Sequence, residues 1–203
     1  MAGGPTKSTL AFYDANAAAY AAGMPPDEVT LAQLEAFTRC LPPGGHVLDL
    51  GCGAGHYSRL LHDAGFRLTL VDGSAGLAAE AEARTGLPVR VQLFQDFNDP
   101  PAYDGIWACA SLLHVPEAEL PDVFARVTAS LKPGGTLYCS FKESNGLIDR
   151  HGRHYAAMDA GRLAEIVAQN GLECLEDFAD DSVGYDGVTS RFIAVIAAKR
   201  GKN

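Results

Sequence analysis

This sequence predicts an α/β fold built on a mostly parallel sheet, and three observations carry that reading. Short apolar runs at 46–50, 67–71, 88–94, 104–110 and 135–141 alternate with stretches of helical character near 55–64, 74–84 and 117–131. Strand–helix alternation is the mark of a sheet wound with crossover helices. The runs are mostly unbroken rather than alternating, as strands covered on both faces must be. Two further runs, 172–178 and 190–198, follow a helical stretch near 159–169 and flank a loop at 179–189. With no helix between them, they should close the sheet as an antiparallel hairpin.

Taken in order, the chain opens with two helical stretches, 8–22 and 27–40, parted by Pro25-Pro26. Leu31, Leu34 and Phe37 fall at helical spacing in the second. Pro42-Pro43-Gly44-Gly45 then forces a turn into the first strand. Asp63-Ala64-Gly65 and Lys132-Pro133-Gly134-Gly135 place helix-stopping glycines where helices should hand over to strands. There is no internal repeat and no low-complexity linker. We read one structural domain, with an N-terminal helical extension over 1–40 and the α/β unit over 41–203.

The 203 residues are 47% apolar and 20% charged, a globular composition long enough to bury a core. No apolar run reaches the roughly 20 residues that cross a bilayer, and the first residues carry no apolar leader. A cytoplasmic protein with no membrane partner is expected. Net charge is −9, and the one basic cluster is Lys199-Arg200-Gly201-Lys202. Nucleic acid, which needs a basic face, is not an expected partner. Cys40, Cys52, Cys109, Cys139 and Cys174 form no C-x-x-C pair and read as reduced thiols. His151-x-x-His154 lacks a third ligand, so no metal is expected. A monomer and a homodimer are both left open.

The chemistry concentrates where the first strand runs into Gly51-Cys52-Gly53-Ala54-Gly55 ahead of a helix. A turn without side chains lets a ligand approach the backbone closely. His56 stands where a dinucleotide fingerprint would carry Gly or Ala, which disfavours a nicotinamide cofactor. The second strand ends at Asp72, 21 residues beyond Gly51, where a carboxylate can accept two ribose hydroxyls; the alternative is a helix N-cap, which Ser74 supplies equally well. The third strand ends near Gln95-Asp96-Phe97. An acid here can accept an adenine amino group beside an apolar ring, or it is a solvated loop residue. The fourth strand leads through Trp107-Ala108-Cys109-Ala110-Ser111-Leu112-Leu113-His114.

Asp49-Leu50-Gly51-Cys52-Gly53-Ala54-Gly55, Asp72, Asp96, the fourth-strand segment and Leu131-Lys132-Pro133-Gly134-Gly135 together resemble the motif series of the class I S-adenosylmethionine (SAM) dependent methyltransferases. The series covers about 45–142. The resemblance implies a Rossmann-like three-layer sandwich, with a seven-stranded, mostly parallel sheet whose last strand is antiparallel. It also implies SAM as cofactor and S-adenosylhomocysteine (SAH) as product. Implied cofactor contacts are Asp49, Gly51, Cys52, Gly53, Gly55, Asp72, Gly73, Ser74, Asp96, Phe97 and Ala110. Phe12-Tyr13-Asp14-x-Asn16-x-x-x-Tyr20 is similar to a segment that folds over the cofactor in many members, which adds Tyr13 and Tyr20.

A narrower likeness, carried by 107–115, Ser140-Phe141-Lys142 and Gly152-Arg153-x-Tyr155, is to small bacterial methyltransferases of the tellurite-resistance-like kind. It implies a small-molecule acceptor. Lys142, Arg153, Tyr155 and Arg191 lie in regions that can border the methyl end in the family fold and would favour an anionic one; the alternative is that these cations pair with Glu143, Asp149 or Asp186 at the surface. A hydroxyl acceptor would want a base, and His114 is the candidate, its alternative being a hydrogen-bonded loop histidine. The Asn-Pro-Pro-Tyr motif of amide and adenine methylases is absent, and Cys109 lacks the neighbouring Pro of cytosine-C5 enzymes. The competing classes are a non-catalytic SAM sensor or interaction protein and, more remotely, a nicotinamide oxidoreductase.

Overall fold

The apolar runs do become strands, and their order sets the site. The computed structural model describes residues 4–149, 151–185 and 187–201, so Asp186, and Lys202 of the basic tail, lie outside them. Five parallel strands, β1 (His46–Leu50), β2 (Arg67–Asp72), β3 (Val89–Val91), β4 (Tyr103–Ala108) and β5 (Leu131–Lys142), are followed by a ribbon of β6 (Leu147–Ile148) and β7 (His154–Tyr155). The chain then adds β8 (Leu172–Val183) and β9 (Thr189–Lys199). The main sheet has seven strands in the order β3-β2-β1-β4-β5-β9-β8. β9 runs antiparallel to both β5 and β8, so only the last strand opposes the rest. This is the Rossmann-like arrangement expected. Winding reverses between β1 and β4, which leaves a crevice beyond their carboxyl ends.

Alternate residues of each central strand feed opposite faces. Ile106, Ala108, Leu137, Cys139 and Val195 join one buried cluster, with α5 (Leu120–Ala129) and α6 (Ala160–Gln169). Val47, Trp107, Tyr138, Ala194 and Ile196 join the other, with α2 (Glu28–Arg39) and α3 (His56–Asp63). Period-two alternation with both sets apolar is what an unbroken hydrophobic run encodes. The remaining helices are α1 (Gly4–Gly23) and α4 (Ala75–Thr85).

Several boundaries differ from the sequence reading, each for a local reason. β5 begins at Leu131 rather than 135, where Leu131 pairs with Tyr103 and the Lys132 ammonium bonds both Asp104 oxygens at 2.9 and 2.8 Å. β3 stops at Val91, and Phe94–Asp96 turns into a short 3-10 helix. β8 runs on to Val183 because it pairs with β9 over its whole length, although its outer positions are mostly exposed and acidic. Among the described residues, no helix is long and apolar enough to cross a membrane.

On the α2 face the Trp107 ring stacks on Tyr138 at 3.8 Å, with Phe37 at 5.4 Å from Trp107. Gly105 makes this approach possible. A Cβ there would lie 2.8 Å from both Phe37 Cζ and Leu41 Cδ2. Gly105→Val should therefore push α2 off the sheet and cost about 1–3 kcal/mol by overpacking. Urea denaturation checks this, and an unchanged midpoint would show that the helix yields freely.

Candidate functional site

The crevice is a cavity of about 260 Å³. Its floor is the turn after β1. Gly51 and Gly53 have φ of 76° and 56°, a region costly for residues with a side chain. A Cβ on Gly51 would sit 2.4 Å from Ser111 Cβ, whereas one on Gly53 would meet nothing. Gly51 is thus bare to let β4's exit pass, and Gly53 is bare toward the cavity. The turn is tied to β2 by the Gly51 and Cys52 N–H groups, which donate to Val71 O at 2.7 and 3.0 Å. Gly51, Cys52 and Gly53 line the cavity, but Gly55 does not; a Cβ there would lie 3.0 Å from Ala81 of α4.

Asp72 ends β2 at the cavity wall, buried to 6% exposure. One carboxylate oxygen accepts the Gly53 N–H and the other the Ser74 N–H, each at 2.8 Å. Burial raises its pKa to about 6 against these bonds. Its unused lone pairs call for donors from a ligand. Gly73 also lines the cavity.

Besides Gly55, four expected contacts stand elsewhere. Asp49 is buried behind the turn, bonded to the Ser58 hydroxyl at 2.5 Å, with its pKa raised by burial to about 7. Ser74 caps α4 by accepting the Leu77 N–H at 3.1 Å and donates to Asp14 at 2.6 Å; neither residue reaches the cavity. Asp96 is exposed on the short 3-10 helix, and Phe97 is fully buried in the core. That helix turns Leu93, Phe94 and Gln95 to the cavity in their place.

α1 lies across the opening. Its Tyr13 and Tyr20 line the cavity, with rings packed edge to face at 5.3 Å. The helix is held by Asp14, which accepts the Ser74 hydroxyl and the Gly76 N–H at 2.6 and 3.0 Å. The Arg84 Nε–H donates to Ala54 O in the turn at 2.7 Å.

Beyond β4, Ala110 lines the cavity with φ of 47°, its N–H held by the Ser140 hydroxyl at 2.8 Å. His114 lies 2.6 Å from His154 O through Nδ1 and 2.8 Å from the Tyr13 hydroxyl through Nε2. A carbonyl only accepts, so Nδ1 carries the proton and Nε2 accepts from Tyr13. Burial lowers the His114 pKa to about 4, so the ring is neutral at pH 7.

The expected basic mouth does not assemble. Arg153 and Tyr155 line the cavity, but Lys142 and Arg191 do not. Lys142 sits 5.1 Å over the Tyr155 ring, and Arg191 pairs with Glu143 at 3.4 Å. Arg153 is buried against Asp149, with Nε and Nη2 each at 2.7 Å. Sequence reasoning missed Gln33, Tyr57, Tyr138 and Asp180, which form the opposite wall. The available signal was a glutamine set among the core positions Leu34 and Phe37.

This fold is the Rossmann-like one found in solved SAM-dependent methyltransferases. Residues 47–135 match the model of a methyltransferase-domain family. The ubiquinone biosynthesis O-methyltransferase of Xanthomonas campestris pv. campestris is 36% identical over 106 residues, 48% of this chain and 43% of that protein. The chain thus spans less than half the length of such curated relatives. Among solved structures, a Burkholderia thailandensis 1,6-didemethyltoxoflavin-N1-methyltransferase, with its namesake compound and SAH bound, superposes with TM-score 0.72 at 18% identity, covering 98% of this chain and 92% of that one. A SAM-dependent methyltransferase from Methanosarcina mazei gives TM-score 0.72 at 18% identity, over 88% and 100% of the two chains. At that identity the likeness is one of fold.

Two strains meet at Gly51, so Gly51→Ala should cost roughly 2–4 kcal/mol from its positive φ and the clash with Ser111. Adding Ser111→Gly should return the clash part alone. Thermal denaturation of the single and double variants reads this, and a full return would show that the backbone conformation is not strained.

Proposed function

We propose that the chain is a methyltransferase that moves the methyl group of SAM to a small-molecule acceptor by in-line displacement. The observation that carries this is Asp72, buried without a cation and clamped to the Gly53 N–H at the cavity wall. Such a carboxylate is matched to ribose hydroxyls. Gly51, Cys52, Gly53 and Ala110 would flank the methionine–ribose part, and Leu93, Phe94 and Gln95 would take the adenine in place of Asp96 and Phe97. The N-terminal extension, through Tyr13 and Tyr20, would cover the cofactor and exclude water.

When bound, SAM supplies a sulfonium-activated methyl with a neutral thioether leaving group. The chain's task is then alignment. Where the acceptor atom carries a proton, Tyr13 and His114 are the base: Tyr13 takes the proton and passes its own to His114 Nε2. A small acceptor is supported by the α1 cover, by the tellurite-resistance-like motifs, and by the kinds of acceptor in the names of the relatives. An anionic acceptor loses most of its support, because Lys142 and Arg191 stand off the cavity and Asp149 neutralises Arg153.

Asp72→Ala should weaken SAH binding by roughly 1.5–3 kcal/mol, about ten- to a hundredfold. Ribose donors favour the ionised carboxylate, whose pKa is about 6 in the free protein. Binding below pH 6 must therefore expel a proton, and affinity should rise with pH up to about 6 and level off above it. Calorimetry across pH 5 to 8 tests both, and a flat profile with an unchanged Asp72→Ala constant would overturn the ribose assignment.

On a hydroxyl acceptor found by screening with labelled SAM, His114→Phe and Tyr13→Phe should each lower kcat by about a hundredfold. If kcat survives both changes, the pair is structural and the acceptor is deprotonated without it.

A further inference from the structure

Sheet order separates the two ends of the cavity. Asp72 ends β2, whereas Asp180 and Ser182 belong to β8, five strands away in the order of the sheet. At ~4.8 Å per strand that is roughly 24 Å. A cofactor anchored at β2 and the β1 turn, with its methyl end at Ala110 after β4, leaves the β5, β9 and β8 side of the cavity for the acceptor. This placement rests on the methyltransferase reading.

On that side the wall is a built hydrogen-bond chain. The Tyr138 hydroxyl donates to Gln33 Oε1 at 2.5 Å, which fixes the amide, and Gln33 Nε2 then donates to Asp180 Oδ2 at 3.2 Å. Gln33 is 7% exposed, so it is oriented by its partners rather than by water. Asp27, at the start of α2, lines the same wall, and the Ser182 hydroxyl donates to it at 3.2 Å. Among the described residues, neither Asp27 nor Asp180 stands in an ion pair. Tyr57, Tyr138 and Phe192 add ring surface around them.

Carboxylates without a basic partner, set among aromatic rings, suit a cation and repel an anion. Among the described residues, the one arginine in the cavity wall is Arg153, and it pairs with Asp149. We propose that Asp180, oriented by Gln33 and Tyr138, is the specificity determinant for the acceptor. It would select a molecule that carries a protonated amine away from the atom that is methylated. The ammonium would donate to Asp180, and its position would set which atom of the acceptor meets the methyl group.

The test measures binding to the SAH-saturated protein by calorimetry, with 2-phenylethylamine (an ammonium at pH 7) and phenylacetate as matched probes. The amine should bind at least about tenfold tighter than the acid. Asp180→Asn should erase that preference, and Asp180→Lys should reverse it, with the SAH constant unchanged in both as the check on folding. Equal binding, tighter binding of the acid, no measurable binding of the amine, or a preference that survives Asp180→Asn would each overturn the proposal. If SAH fails to bind the wild-type protein, the methyltransferase reading falls instead. The same probe comparison on the free protein then decides the Asp180 assignment by the same criteria.

Discussion

Where β1 and β2 end, a hydrogen bond of 2.8 Å from the Gly53 N–H to Asp72 ties the glycine turn to the next strand. Much of the site hangs on it. The carboxylate is buried with no cation beside it, which disfavours the charged form and lifts its pKa to about 6 against that bond. Asp49, behind the same turn, is lifted further, to about 7, by burial first and then by the nearby Asp72 charge. A fold selected only for stability would not place two carboxylates under one turn. Their cost makes sense when a ligand brings hydroxyl donors to the outer one.

The same bond extends into a network that joins cover to floor. Asp72 accepts the Ser74 N–H, and Ser74 caps α4 while donating to Asp14 of α1. Ser74 is therefore the node between the Asp72 carboxylate and the covering helix. Asp14 also accepts the Gly76 N–H, which places an acid at the amino end of α4, where the helix dipole favours it. The seating of α1 and the orientation of Asp72 are thus coupled through one side chain.

How far the sequence could be read depends on whether an inference needed only local periodicity. Unbroken apolar runs encode strands covered on both faces, so the sheet was legible, and the missing helix between the last two runs made its antiparallel last strand legible too. The glycine turn and Asp72 were legible because their spacing follows from a single strand–helix–strand unit. Asp96 and Phe97 were misplaced because a 3-10 helix over Phe94–Asp96 rotates side chains by a different step from a strand, which brings Gln95 rather than Asp96 to the cavity. Lys142 and Arg191 were near the right strand ends, but the direction of their side chains was not encoded by spacing. Gln33 and Asp180 lie 147 positions apart and meet only through the pairing of β8 with β9. No local pattern carries such a contact.

His114 shows why cover and chemistry belong together in the proposed reaction. Its Nδ1 proton is fixed by the His154 carbonyl, and its one lone pair is directed at the Tyr13 hydroxyl. In this arrangement a proton leaving the acceptor reaches that lone pair through Tyr13, which is part of α1. With α1 displaced, the histidine keeps its tautomer but loses the group that links it to the acceptor. With α1 seated, the same tyrosine closes the cavity against water and completes the base. Assembly of the base and exclusion of water are then one event, governed by the contacts of Asp14 and Tyr13 rather than by the strands beneath.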